Sequence, residues 1–136
     1  MTLKTHKDLT VWQESIKLIK EVYSLTSRFP KEEVYSLTAQ IKRSTISIPS
    51  NIAEGAARDS NKEYIHFLYI ALGSVAELDT QLIIAKDLNF IDEKDYKEIV
   101  EKLEILEKCY QGSLNIVSPN HNIHIIRKIL SHKPNL

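Results

Sequence analysis

Four side chains, Glu54, Glu63, His66 and Glu77, could support chemistry in a helical protein. Glu54 and Glu77 each stand among alanines and glycines. Paired carboxylates can perform acid–base work. Carboxylates inside a helical bundle can also hold two metal ions, given a Glu-x-x-His pair from each of two helices and two further glutamates. Here Glu63-Tyr-Ile-His66 is the only such pair and lies near the start of its helix, so an enzyme or metalloprotein built on these four residues is the weakest reading. The expectation for Glu54 and Glu77 is acceptance of hydrogen bonds from Arg43, Asn51 or backbone groups. No nucleophile stands beside a base, and Cys109 lies in an apolar stretch where packing is the expected role. Neither Gly-rich phosphate-loop pattern occurs, and His121, His124 and His132 match no metal spacing with the cysteine. The sequence therefore predicts no catalytic residue, no metal, no cofactor and no small-molecule substrate.

Basic residues offer the second kind of chemistry. Lys42, Arg43 and Arg58 are candidates for phosphate contact, with Arg127 and Lys128 behind them. Arg43 and Arg58 are about four helical turns apart and can share a face unless a bend rotates them. Scattered surface charge is the alternative. The 136-residue chain carries 18 basic and 18 acidic side chains, a formal net charge of zero. Residues 1–60 carry +2, residues 61–118 carry −5, and residues 119–136 have three basic residues and no acid. A nucleic-acid binder draws much of its affinity from phosphate neutralisation. Any such role here needs a local patch, and a protein-only interaction module is the competing expectation.

Long helices must position these residues. Three glycines, four prolines and 43% hydrophobic residues suit a helical globular domain. Leu9, Trp12, Ile16, Ile19, Val22 and Tyr23 predict one helix, capped near Asp8 or Thr10 and ended at Phe29-Pro30. Val34, Leu37, Ile41, Thr45, Ile48 and Ile52 predict a second, starting near Lys31. Ser60-Asn-Lys-Glu63 reads as a capping box before a third helix through Phe67, Ala71, Val75, Leu78 and Leu82. Asp92 caps a fourth, lined by Tyr96, Ile99, Leu103, Leu106, Tyr110 and Leu114. Short connections favour antiparallel neighbours. The expected fold is all-α, an up-down four-helix bundle over residues 1–118 with a short tail over 119–136. The aliphatic residues of that tail are expected to dock on the bundle or on a neighbouring copy. No apolar run is expected to span a membrane and no signal segment is evident. One cysteine fits a reducing cytoplasm.

Pro49 removes a helical donor and predicts a kink in the second helix. Ser44, Thr45, Ser47, Ser50 and Asn51 surround it, each able to satisfy the freed carbonyl. Ala53, Ala56, Ala71, Gly73 and Ala76 permit close packing, in the core or along an oligomer seam. Gly55 reads as a helix end. The opening Asp8-Leu-Thr-Val-Trp12, Gln40-Ile-Lys-Arg43, Ser47-Ile-Pro-Ser-Asn-Ile-Ala-Glu-Gly55 and Phe67 to Leu82 occur in order. In these the chain resembles the 23S ribosomal RNA intervening-sequence protein family of small bacterial proteins. Pro49, Asn51, Glu54, Gly55, Gly73, Ser74 and Glu77 are its structural signature here. The resemblance implies a left-handed four-helix bundle assembling as a homo-pentamer. Related accessory proteins of diversity-generating retroelements bind nucleic acid through a strongly basic surface, which this neutral chain lacks. The expectation is a non-enzymatic scaffold or adaptor for RNA or a ribonucleoprotein partner.

Overall fold

The computed structural model describes residues 5–117. Thr5 caps a 3-10 turn, His6–Asp8, accepting from the Lys7 N–H while the Asp8 carboxylate accepts from the Thr5 N–H. Four helices follow: α1 (Thr10–Thr26), α2 (Leu37–Ala56), α3 (Asn61–Asp87) and α4 (Glu93–Val117). No strand occurs among the described residues. The chain forms the expected all-α four-helix bundle; the tail 119–136, with Arg127 and Lys128, lies outside the described residues.

Each helix packs on two others. α1 touches α2 and α4, and α3 touches the same two. Arg28 pairs with Asp95 at 2.8 Å and Glu21 with Lys102 at 2.6 Å, so α1 and α4 run in opposite senses. Ser44 with Glu77 and Ser47 with Ser74 give the same relation between α2 and α3. The core is a continuous apolar cluster that includes Leu18, Val22, Ile41, Ile52, Leu68, Leu78, Leu82 and Leu106. Each such side chain contributes about 1.5–3 kcal/mol on burial.

Local signals set the helix ends. The Ser60 hydroxyl accepts from the Glu63 N–H at 3.2 Å and donates to the Glu63 carboxylate at 3.3 Å. Asp92 Oδ1 accepts from the Asp95 N–H at 2.8 Å, which starts α4. Between them Asn89 turns the chain with φ at 62°, a conformation asparagine tolerates better than most residues.

Four expectations need correction. α1 has Leu9 at its N-cap with no side-chain bond, because Asp8 already closes the 3-10 turn before it. The buried face of α1 is Val11, Ser15, Leu18, Val22 and Leu25, so Trp12, Ile16, Ile19 and Tyr23 lie on its flank. α2 begins at Leu37 rather than Lys31. Residues Lys31–Glu33 form a 3-10 turn, and Tyr35 beyond it is 96% exposed. Finally, α3 is long and apolar enough to cross a membrane by length and composition, with a mean hydropathy of 1.4 over its best 18 residues. Its interior holds only Glu77 and Asp79 as charges between Glu63 and Lys86, which lets the average rise. In this fold Leu68, Ala71, Val75, Leu78, Leu82 and Ala85 turn inward against the other helices.

Candidate functional site

Three of the seven signature residues, Gly55, Ser74 and Glu77, meet the facing helix along the seam between α2 and α3. α2 remains helical through Pro49, which is buried. The proline has no N–H for the Thr45 carbonyl. The surrounding polar groups do not replace that donor, contrary to expectation. Thr45 Oγ1 donates to the Ile41 carbonyl at 2.7 Å, Ser50 Oγ to Ile46 at 2.8 Å, and Asn51 Nδ2 to Ser47 at 2.8 Å. Each side chain reaches back one turn on its own helix, the geometry short polar residues favour inside helices. Ser44 and Ser47 instead cross the seam. Ser44 donates to Glu77 Oε2 at 3.3 Å, and the Ser47 and Ser74 hydroxyls bond each other.

Gly55 is no mere helix end. It is buried in the last turn of α2, where a Cβ would stand 2.6 Å from the Phe67 Cβ and 3.2 Å from the Tyr64 ring. Glycine is required for α3 to cross α2 this closely. Gly73 differs, since a Cβ there would meet nothing within 4 Å among the described residues. Ala56 and Ala76 are exposed as well and Ala53 is half-buried, so of Ala53, Ala56, Ala71, Gly73 and Ala76 only Ala71 is buried in the core.

The carboxylates do not form a site together. Glu54 is exposed and pairs with Arg58 at 3.1 Å rather than with Arg43 or Asn51. Glu77 takes its bond from Ser44. Glu63 and His66 are exposed, the imidazole packing edge-on to Phe67 at 5.7 Å between centroids. No group of three His, Cys, Asp or Glu side chains is placed to hold a metal among the described residues. Cys109 is half-buried, and burial, helped by the nearby Glu14 carboxylate, pushes its thiol up.

The basic residues diverge. The Lys42 ammonium sits 4.8 Å from the Tyr23 ring centroid, on the α1 side of α2. The Arg58 guanidinium lies 5.1 Å from the Phe67 ring, on the α3 side. Arg43 is exposed between these flanks, with no ion pair or ring contact among the described residues. Two of the three described bases thus bind within their own fold.

A third feature went unnoticed in the sequence. Ile70, Ile84 and Leu88 are 40%, 43% and 53% exposed on the outer face of α3, and Ile46 is 44% exposed on α2. The spacing of 66, 70, 73, 77, 80, 84 and 88 is a second helical stripe, opposite the core stripe. Reading α3 for one apolar face concealed it.

A crystal structure of a protein of unknown function from the S23 ribosomal protein family of Bacteroides thetaiotaomicron matches with a TM-score of 0.70 and 24% identity. The match covers 77% of this chain and 98% of that one, and at this identity it shows the fold alone. No curated protein matches. The family model described as 23S rRNA-intervening sequence protein matches residues 7–112, from the turn before α1 well into α4. On that match, the chain belongs to the 23S rRNA-intervening sequence protein family.

Proposed function

We propose that this protein is a non-enzymatic cytoplasmic scaffold that works by self-association, with five copies as the expected number. The observation that carries the reading is a group of large apolar side chains left open on α3. Exposed apolar residues grouped on one surface mark a contact with another molecule. Here Ile70, Ile84 and Leu88 remain exposed on its outer face in the protomer. Exposed Gly73, Ala56 and Ala76 add small surfaces that permit close approach of another chain. Light scattering of the purified protein tests the reading. A mass at a multiple of the 15.7 kDa protomer supports it, and a monomer at all concentrations rejects it.

One observation favours an RNA-facing version of the same scaffold. Arg43 is exposed and makes no ion pair or ring contact among the described residues, and assembly would repeat it once per copy. In this version structured ribosomal RNA binds the oligomer with an affinity that falls steeply with salt and drops in Arg43→Ala. A pull-down of protein partners that survives nuclease supports the protein-only version instead.

A further inference from the structure

We infer that the groove between α1 and α4 binds a short zwitterion whose carboxylate and ammonium lie at opposite ends of an extended chain. That chemistry is shared by ω-amino acids and dipeptides. The inference does not depend on self-association and concerns the α1–α4 seam rather than the outer face of α3.

The groove has a volume of about 350 Å³, toward the small end of what ligand sites occupy. Its floor is apolar, since Leu25 and Ile99 line it and are 5% and 3% exposed. Two ion pairs cross it, Arg28 with Asp95 at 2.8 Å and Glu21 with Lys102 at 2.6 Å. They stand seven residues apart on both helices, about 10 Å along the axis, and have opposite polarity. Folding alone brings these walls together, because α1 and α4 stand at opposite ends of the described chain.

Two more charges line the groove and make no ion pair among the described residues, Lys20 on α1 and Glu98 on α4. The register set by the two crossing pairs puts Glu98 level with Leu25 and Lys20 level with Leu103. Lys20 and Glu98 are therefore offset by about 7–8 Å along the axis, diagonally across the apolar floor. Lys102 is already committed to Glu21, whose hydrogen bond and charge raise its pKa, with Glu14 and Glu98 adding. The cation left for a ligand is Lys20, and the anion is Glu98.

Charge selects the ligand. The charged residues lining the groove are three basic and three acidic, so a simple anion or a simple cation meets repulsion from one half of them. A molecule carrying both signs meets none if its carboxylate lies at Lys20 and its ammonium at Glu98. An α-amino acid carries its two charges side by side and does not span the offset. An extended zwitterion does, with its chain over Leu25 and Ile99. Exposed ion pairs are individually weak, so the expected affinity is roughly millimolar.

The test is an NMR titration of the isotope-labelled full chain with 5-aminopentanoate, glycylglycine, glycine, pentanoate and pentylamine. The two extended zwitterions should shift Ser24, Leu25, Glu98 and Ile99 saturably, and the other three should bind at least about fivefold more weakly. Response to only one of the two supports the inference and identifies the source. Lys20→Gln and Glu98→Gln lie at exposed positions and should each weaken binding about fivefold. The double variant Lys20→Glu with Glu98→Lys should recover it, with the ligand reversed. Absence of saturable shifts with both extended zwitterions would overturn the inference. Pentanoate or pentylamine binding as well as the zwitterions, or single variants binding as well as the wild type, would overturn it too. The ligand series needs no variant, so the inference stays testable if a substitution unfolds the chain.

Discussion

The two α-helical glycines of the family signature should respond to alanine with opposite signs. At Gly55 a new Cβ would lie 2.6 Å from the Phe67 Cβ, 3.2 Å from the Tyr64 ring and 3.3 Å from the Tyr64 carbonyl oxygen. Carbon atoms prefer roughly 3.5–4.0 Å. The nearest obstacle is attached directly to the α3 backbone, so no rotamer change relieves it and α3 itself must shift. Overpacking of this kind costs about 1–3 kcal/mol. The helix-propensity gain of alanine over glycine, at most about 1 kcal/mol, is reduced near the end of α2. We expect Gly55→Ala to lose about 1–2 kcal/mol, a fall in Tm of roughly 3–8 °C for a domain of this size. At Gly73 a Cβ would meet nothing within 4 Å among the described residues, so Gly73→Ala should gain up to about 1 kcal/mol. Because Gly73 lies on the same exposed face of α3 as Ile70 and Ile84, both substitutions belong in an Ile84→Asp background, where protomer stability is read without assembly. Thermal and urea unfolding by circular dichroism supply the measurement. A Gly55→Ala protein as stable as its parent, or a Gly73→Ala protein less stable, would refute the packing argument.

Other side chains give further expectations. The Tyr110 hydroxyl is buried without a partner among the described residues, so Tyr110→Phe should gain about 1 kcal/mol in urea unfolding. Burial also raises Tyr110 well above the ordinary 10.0, with Tyr64 adding to the shift. The folded state then holds a proton that the unfolded state releases. Its contribution is fully present below pH 10.0 and is lost as pH rises through the raised folded value. Alkaline unfolding followed by tyrosinate absorbance should shift to higher pH in Tyr110→Phe. Cys109, its thiol also pushed up by burial, should alkylate more slowly at neutral pH in the folded protein than in urea. Leu106→Ala, at a fully buried core position, should cost about 2–5 kcal/mol by the same urea assay.

Much of the fold was legible because helix signals are local. The Ser60 and Asp92 caps and the inward lines of α3 and α4 depend on residues within a turn or two of each other. The face of α1 was misread because Leu9, Trp12, Ile16 and Ile19 are larger and more apolar than Ser15, which takes a core position. Only the position of α2 and α4 decides which stripe turns inward. The start of α2 was misplaced because Glu32 and Glu33 suit a first helical turn, yet the chain spends them on a 3-10 turn. Little of the candidate site was legible. Lys42, Arg43 and Arg58 are close in sequence terms, but which of them is engaged depends on Tyr23 and Phe67 on neighbouring helices. Gly55 and Gly73 look alike as letters and differ only in what crosses them. The exposed Ile70, Ile84 and Leu88 of α3 were hidden because a second apolar set is invisible until the first is known to fill the core.

Light scattering coupled to size exclusion, at two protein concentrations and after nuclease treatment, tests the central claim most directly. The account predicts a nuclease-resistant species at a multiple of 15.7 kDa, five protomers being the expected number. A species of 15.7 kDa at both concentrations would contradict it.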